Sequence, residues 1–209
     1  MLPNDPFNLI IAGVGGQGNV LASKIIASVA NSYGYNVTVG DTFGVSQRGG
    51  AVMSHVRLAG KATYGPLIPK HAADVIMGFE PMETLRVLQN YGKANTKVLT
   101  NDRPVYPLGV QRGEDYYAAD KIWEKISSLA AECKVVEAAR IAEELGNPKI
   151  INMIMVGALI SSKYLPFAAG EFEKIIKHTF PEELVELNLN AFRASMIKES
   201  AATGENIIY

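Results

Sequence analysis

Two glycine-rich stretches hold the residues with the most chemical potential. Gly13-Val14-Gly15-Gly16-Gln17-Gly18 fits the pattern GxGxxG between an apolar run, 7–12, and an amphipathic segment. In that setting Gly13 permits a tight turn and Gly15 lets the backbone approach a phosphate. Gly18 permits close helix–strand packing, and the helix N-terminus supplies partial positive charge. Gly16 and Gln17 complete the loop. Asp41 follows about 20 residues further on, where dinucleotide-binding units place an acid against a ribose. The chemistry indicated is binding of a phosphate or nucleotide; the alternative is a tight turn without a ligand.

The second stretch, Ser46-Gln47-Arg48-Gly49-Gly50, runs into a segment where Val52, Ser54 and Val56 alternate with Met53, His55 and Arg57. Paired glycines let backbone N–H groups face a ligand, and the Arg48 guanidinium offers a planar fork for phosphate or carboxylate. Arg57 adds a positive charge on the strand face of His55. This pattern is read as a contact to a ligand or to another subunit, against the alternative of a solvated arginine in a glycine loop.

Other patterns carry less. Tyr117 and Lys121 match the Tyr-x-x-x-Lys spacing of short-chain dehydrogenases, but the glycine spacing is wrong for them and no serine lies about a dozen residues upstream. The single cysteine, Cys133, has no neighbouring base and reads as an inert thiol. The three histidines, His55, His71 and His178, lack metal-ligand spacing. No residue is assigned a catalytic or metal-binding role.

The elements that must position these residues follow from periodicity. Segment 7–12 reads as a buried strand, 19–33 as a helix with Leu21, Ile25 and Val29 on one stripe and Gly34 as its stop, and 37–39 as a second strand, so the first forty residues read βαβ. Further strands are expected at 51–58, 74–79, 97–100 and 134–136. Helices are expected at 121–132, with Ile122, Ile126 and Leu129 on one face, and after Pro81, with Met82, Leu85 and Leu88 on another. Four more fill 138–145, 150–162, 167–177 and 182–199, and 102–117 is an irregular excursion. The pattern implies an α/β fold: a doubly wound, mostly parallel, Rossmann-like sheet with a helical C-terminal lobe. The 209 residues form one domain, with 1–136 as sheet core and 137–209 as helical extension.

Composition narrows the function. Apolar residues make up 48% and charged residues 20%, a globular balance. The net charge of −1 favours neither nucleic acid nor an acidic membrane surface. No segment reaches the roughly 20 apolar residues that span a bilayer. The N-terminus lacks the basic start of a signal peptide, and one thiol fits a reducing cytoplasm. A cluster held by about four thiolates cannot be built from one cysteine.

The motifs GVGGQG and SQRGGAVMSHVR, with YGPLIP from Tyr64, FEPMETLR from Phe79, ELGNPKIINMIMVGAL ending at Leu159, and Asn188 with Ala191-Phe192, together resemble the gamma subunit, or gamma domain, of 2-oxoacid:ferredoxin oxidoreductases. The likeness is strongest to the beta-subunit branch of indolepyruvate ferredoxin oxidoreductases and runs over nearly the whole chain. Asp41 departs from it, since many relatives would carry glutamate there. The resemblance implies a subunit of an enzyme that decarboxylates a 2-oxo acid, indolepyruvate or another arylpyruvate first, forming an acyl-coenzyme A and reducing ferredoxin. It implies a larger partner subunit that bears thiamine diphosphate, magnesium and the iron–sulfur clusters, and an isolated chain that is inactive. Coenzyme A is the ligand expected at Gly13, Gly15, Gly16, Gln17 and Gly18, with Asp41, Ser46, Gln47, Arg48 and Gly49 nearby. The competing readings are a free-standing NAD(P)-binding dehydrogenase and a non-catalytic assembly subunit.

Overall fold

Strand β1 (Phe7–Val14) is buried along its whole length, which a strand covered on both faces requires. Phe7, Leu9 and Ile11 enter one apolar cluster, while Ile10 and Ala12 enter the cluster on the opposite face. The computed structural model describes residues 2–44, 50–106, 108–113 and 116–201. Ser46, Gln47, Arg48 and Gly49 lie outside the described residues.

Helix α1 (Asn19–Ser32) follows β1, then β2 (Asn36–Phe43), β3 (Ala51–Ala59), β4 (Val75–Gly78), α2 (Pro81–Tyr91), β5 (Lys97–Asn101), a short α3 (Leu108–Gln111), α4 (Ala119–Leu129) and β6 (Glu132–Val136). Helices α5 (Ala138–Glu144), α6 (Ile151–Ser161), α7 (Ala169–Thr179) and α8 (Glu182–Ala201) follow, with a 3-10 turn at Pro148–Ile150 before α6. The strands form one sheet in the order β2-β3-β1-β4-β5-β6. The pairs β1–β4, β4–β5 and β5–β6 are parallel, whereas β3 runs antiparallel to both β1 and β2. The sheet is therefore mostly parallel and carries helices on both faces, as the alternation of strands and helices predicts.

One expectation changes. The first forty residues are βαβ in order, but β3 lies between β1 and β2, so these two strands are not neighbours. Two strand spacings put them about 10 Å apart. The reason is the 51–59 segment, whose alternation pairs it with both strands over eight residue pairs each.

Helix α1 buries Ala22, Ile25, Ile26 and Val29, while Leu21 stands half-buried at the margin of that stripe. Helix α6 is buried almost throughout and lies in the same cluster as α1, β1, β4, α7 and α8. Helices α2 and α4 cover the other face through Leu85, Leu88, Ile122 and Ile126. Leu129 shares that helical face by periodicity but ends α4 and is 45% exposed. Because α1 and α2 leave the adjacent parallel strands β1 and β4 toward opposite faces, the crevice at the carboxyl ends of β1 and β4 is the topological switch point. That is the place where open α/β sheets receive ligands.

Candidate functional site

The glycine loop sits at this carboxyl edge. Val14 and Gln17 form the ends of a tight turn, closed by the Gln17 N–H donating to the Val14 carbonyl at 3.3 Å. Gly16, third in the turn, has φ +99°, a value suited to glycine at that turn position. Gly18 begins α1 in the left-handed region at φ +87°. A Cβ there would lie 2.6 Å from Asn152 Nδ2 of α6, so the close packing that Gly18 allows is helix against helix rather than helix against strand. Gly13 belongs to β1, and a Cβ on it would meet Gln17, Phe79 and Asn19 within 3.0 Å.

Helix α1 starts without a side-chain cap and without an acidic residue in its first turn. Among the described residues, no acceptor takes the N–H groups of Gly16, Gly18, Asn19, Val20 or Leu21. Unpaired amides and the helix dipole make this end an anion site. Gly15 behaves differently: its N–H donates to the Gly50 carbonyl at 3.0 Å, which ties the loop to the start of β3 instead of facing a ligand.

The loop forms one wall of an open cleft of about 1050 Å³. Val14, Gly15, Gly16, Gly18, Asn19, Val20, Leu21 and Lys24 line one side, and Phe43, Gly44 and Val52 the other. Lys24 is exposed and brings one positive charge. Phe43 ends β2 with 68% of its surface exposed, an aromatic face at the mouth. Asn19 is buried, and its Nδ2 donates to the Val52 carbonyl at 3.1 Å. Among the described residues, the cleft thus combines amide donors, the Lys24 cation and apolar walls, a set that suits a phosphate-bearing nucleotide. Lys24, Phe43 and Asn19 were not singled out by motif; the signal available for Lys24 was its place one turn into the helix after the glycines.

The remaining candidates fall elsewhere. Asp41 accepts a hydrogen bond from Ser54 Oγ at 2.5 Å, and Phe43, two residues along the same strand face, points into the cleft in its place. With β3 between β1 and β2, the positional basis for a ribose-binding acid at Asp41 is lost. Arg57 is turned under the 60s loop. Its Nε donates to Asn8 Oδ1 at 3.0 Å, its Nη1 to the carbonyls of Gly65 and Leu67, and its guanidinium lies 4.8 Å from the Tyr64 ring centre. His55 is buried; its Nδ1 accepts the Ile68 N–H at 3.2 Å and its ring meets Tyr91 edge-on. Burial and the Arg57 charge lower its pKa, with Asp41 opposing, so the ring is neutral. Both side chains clamp the 60s segment onto the sheet, and neither reaches the cleft.

Tyr117 is buried and donates to Glu80 Oε1 at 2.7 Å; burial and this bond push its pKa up. Glu80 caps α2 by accepting the Glu83 N–H at 2.9 Å. Tyr117 is therefore part of a structural lock. Burial pushes the Cys133 thiol up to about 11, protonated near neutrality and inert. Among the described residues, no group of three or more His, Cys, Asp and Glu side chains could hold a metal ion, and no helix is long and apolar enough to cross a membrane.

Comparison with known proteins gives the same outline. Residues 8–197 match the family model described as pyruvate ferredoxin/flavodoxin oxidoreductase. The indolepyruvate oxidoreductase subunit IorB of Thermococcus kodakarensis is 35% identical over 188 residues, 89% of this chain and 92% of that protein. Its counterpart in Archaeoglobus fulgidus is 37% identical over 187 residues, again 89% and 92% of the two chains. Among solved structures, the 2-oxoglutarate:ferredoxin oxidoreductase of Magnetococcus marinus, with 2-oxoglutarate, coenzyme A and succinyl-CoA bound, shares the fold. Its TM-score is 0.72 at 20% identity, over 98% of this chain and 33% of that one.

Proposed function

The chain belongs to the pyruvate ferredoxin/flavodoxin oxidoreductase family, and from that premise we propose that it is the small subunit of a 2-oxoacid:ferredoxin oxidoreductase that contacts coenzyme A through its glycine loop. The substrate assigned is indolepyruvate or another arylpyruvate, supported by the names of relatives that match nearly the full length. The observation that carries the coenzyme A role is the uncapped start of α1, opening onto a cleft with Lys24 and apolar walls. Coenzyme A brings a pyrophosphate for the amides, further phosphate charge for cations and an adenine ring for apolar or aromatic contact.

The residues present do not fit an iron–sulfur cluster, because the one cysteine is a half-buried thiol with a raised pKa and all-thiolate clusters take about four. Clusters, thiamine diphosphate and magnesium are accordingly assigned to a larger partner subunit, through which ferredoxin is reduced in the cytoplasm. Arg48 and its neighbours Ser46, Gln47 and Gly49 enter this reading by connectivity: Gly44 lines the cleft, and Gly50 is bonded to the glycine loop.

Reconstitution tests the reading. The isolated chain is expected to show no turnover with 2-oxo acids and a viologen acceptor, and addition of the partner subunit to give coenzyme-A-dependent reduction. In the assembled enzyme, Gly16→Val places a branched side chain at the mouth of the cleft and strains the positive-φ turn that aims the amides, and should raise the KM for coenzyme A. Arg48→Ala should raise it about ten- to a hundredfold, the worth of a charge-assisted contact. An unchanged coenzyme A response in both variants would remove the cleft from the reaction.

A further inference from the structure

Gln17 stands inside the glycine motif, yet its side chain is turned away from the cleft and bonded at both ends. Oε1 accepts the Val14 N–H at 2.8 Å, and Nε2 donates to the Phe79 carbonyl at 3.2 Å. The Gln17 backbone N–H also reaches the Val14 carbonyl, so side chain and main chain of one residue close the turn from two sides. The Phe79 carbonyl receives a second donor, Asn101 Nδ2, at 3.3 Å, and Asn101 Oδ1 accepts the Ala138 N–H at 3.1 Å. Phe79 N–H itself donates to the Ala12 carbonyl at 2.7 Å. One carbonyl beyond β4 therefore joins the end of β1, the end of β5 and the first residue of α5, and Gln17 is the only one of these bridges that enters the glycine loop.

We propose that Gln17 is a positioning residue: it touches no ligand and holds the glycine loop, before coenzyme A arrives, in the shape that aims the Gly16, Gly18 and Asn19 amides into the cleft. The inference rests on the coenzyme A reading and deepens it. A loop with four glycines in six residues loses more backbone freedom on ordering than a loop of other residues. Ordering it against the sheet beforehand removes that loss from the binding step. A glutamine suits the task because one end must accept, from Val14, while the other must donate, to Phe79.

That donor–acceptor demand supplies the test. In the assembled enzyme, Gln17→Met keeps length and loses both bonds. It should speed amide exchange of segment 13–19 in the absence of coenzyme A and raise the KM for coenzyme A about tenfold, with kcat unchanged. Gln17→Glu should behave likewise at about pH 8, where a carboxylate faces the Phe79 carbonyl. It should recover toward the parent at about pH 5, nearer the ordinary glutamate value of about 4.3, because a protonated carboxyl again donates at one end and accepts at the other. The carbonyl favours the protonated form and so raises the folded-state pKa; the recovered stability is present below the unfolded value and lost as pH rises through the folded one. Gln17→Met shows no such recovery. Asn101→Leu, which loosens the same edge outside the loop, should leave the KM near the parent's.

Faster exchange with an unchanged KM, while Gly16→Val does raise the KM, would make Gln17 a strut without a role in binding. A raised KM with unchanged exchange would make it a direct ligand contact. A KM raised equally by Asn101→Leu would make the effect general loosening. Each of these overturns the inference alone. If Gly16→Val, Arg48→Ala and the Gln17 variants all leave the KM unchanged, the coenzyme A reading falls and this inference with it.

Discussion

The glycine loop and the 55–68 clamp both present hydrogen-bond donors and a basic side chain and do opposite things with them. At the loop, the N–H groups of the first turn of α1 have no acceptor among the described residues, and Lys24 stands exposed beside them. At the clamp, the Arg57 guanidinium reaches a side-chain oxygen, two carbonyls and an aromatic ring, and His55 binds the Ile68 N–H from a buried position. Charge and polarity alone do not mark a binding site. What distinguishes the two regions is whether donors are already engaged within the fold, because only unengaged donors have binding energy left for a ligand.

Four substitutions sharpen or break this contrast. The largest effect is expected from Arg57→Ala, which leaves the Asn8, Gly65 and Leu67 oxygens without their donor. Denaturant unfolding should show a loss of about 3–4 kcal/mol, with the KM for coenzyme A in the folded, assembled enzyme unchanged; a selective rise in that KM would return Arg57 to the binding site. Gly18→Ala comes next. Its left-handed backbone and the contact with Asn152 predict a loss of about 2–3 kcal/mol, measured in the same unfolding experiment. A neutral result would mean that α6 does not press against the loop.

Lys24→Glu addresses the open region. The side chain is exposed, so the unfolding midpoint should stay where it is, while the KM for coenzyme A rises about tenfold, roughly 1.4 kcal/mol; an equal shift in stability would count against a ligand role. The smallest effect is expected from His55→Gln. Burial and Arg57 lower the folded-state pKa of His55. Stability is therefore retained above the unfolded value near 6.5 and declines as pH falls from there through the lowered folded value. Glutamine accepts the same Ile68 N–H without titrating. Melting curves from about pH 7 to about pH 5 should fall less steeply for the variant than for the parent, and parallel curves would show that His55 does not contribute to acid sensitivity.

Much of the architecture was legible in the sequence because it rests on local periodicity. The strand at residue 7, the helix after Gly18, Pro81 opening a helix and the long apolar α6 all appear close to their expected bounds. Periodicity could not say that β3 enters between β1 and β2, since strand order depends on pairings distant in sequence. That one insertion removed the basis for Asp41 as a ribose acid and brought Phe43 to the cleft. The stripe of α4 failed only at Leu129, where the helix ends with its surface uncovered.

The sequence by itself determined the class of fold, the place of the glycine motif after the first strand, and the exclusion of an all-thiolate cluster from this chain, because each follows from spacing or from a count of residue types. Only the tertiary structure decided which donors remain available. Gly15 and Gln17 belong to the same motif as Gly16 and Gly18, yet Gly15 bonds Gly50 and Gln17 bonds Val14 and Phe79. Gly50 and Phe79 stand beside β3 and β4, which meet β1 at one edge only when the sheet has formed. A hydrogen bond engaged inside the fold is unavailable outside it, and that engagement is a property of distances between residues far apart in the chain.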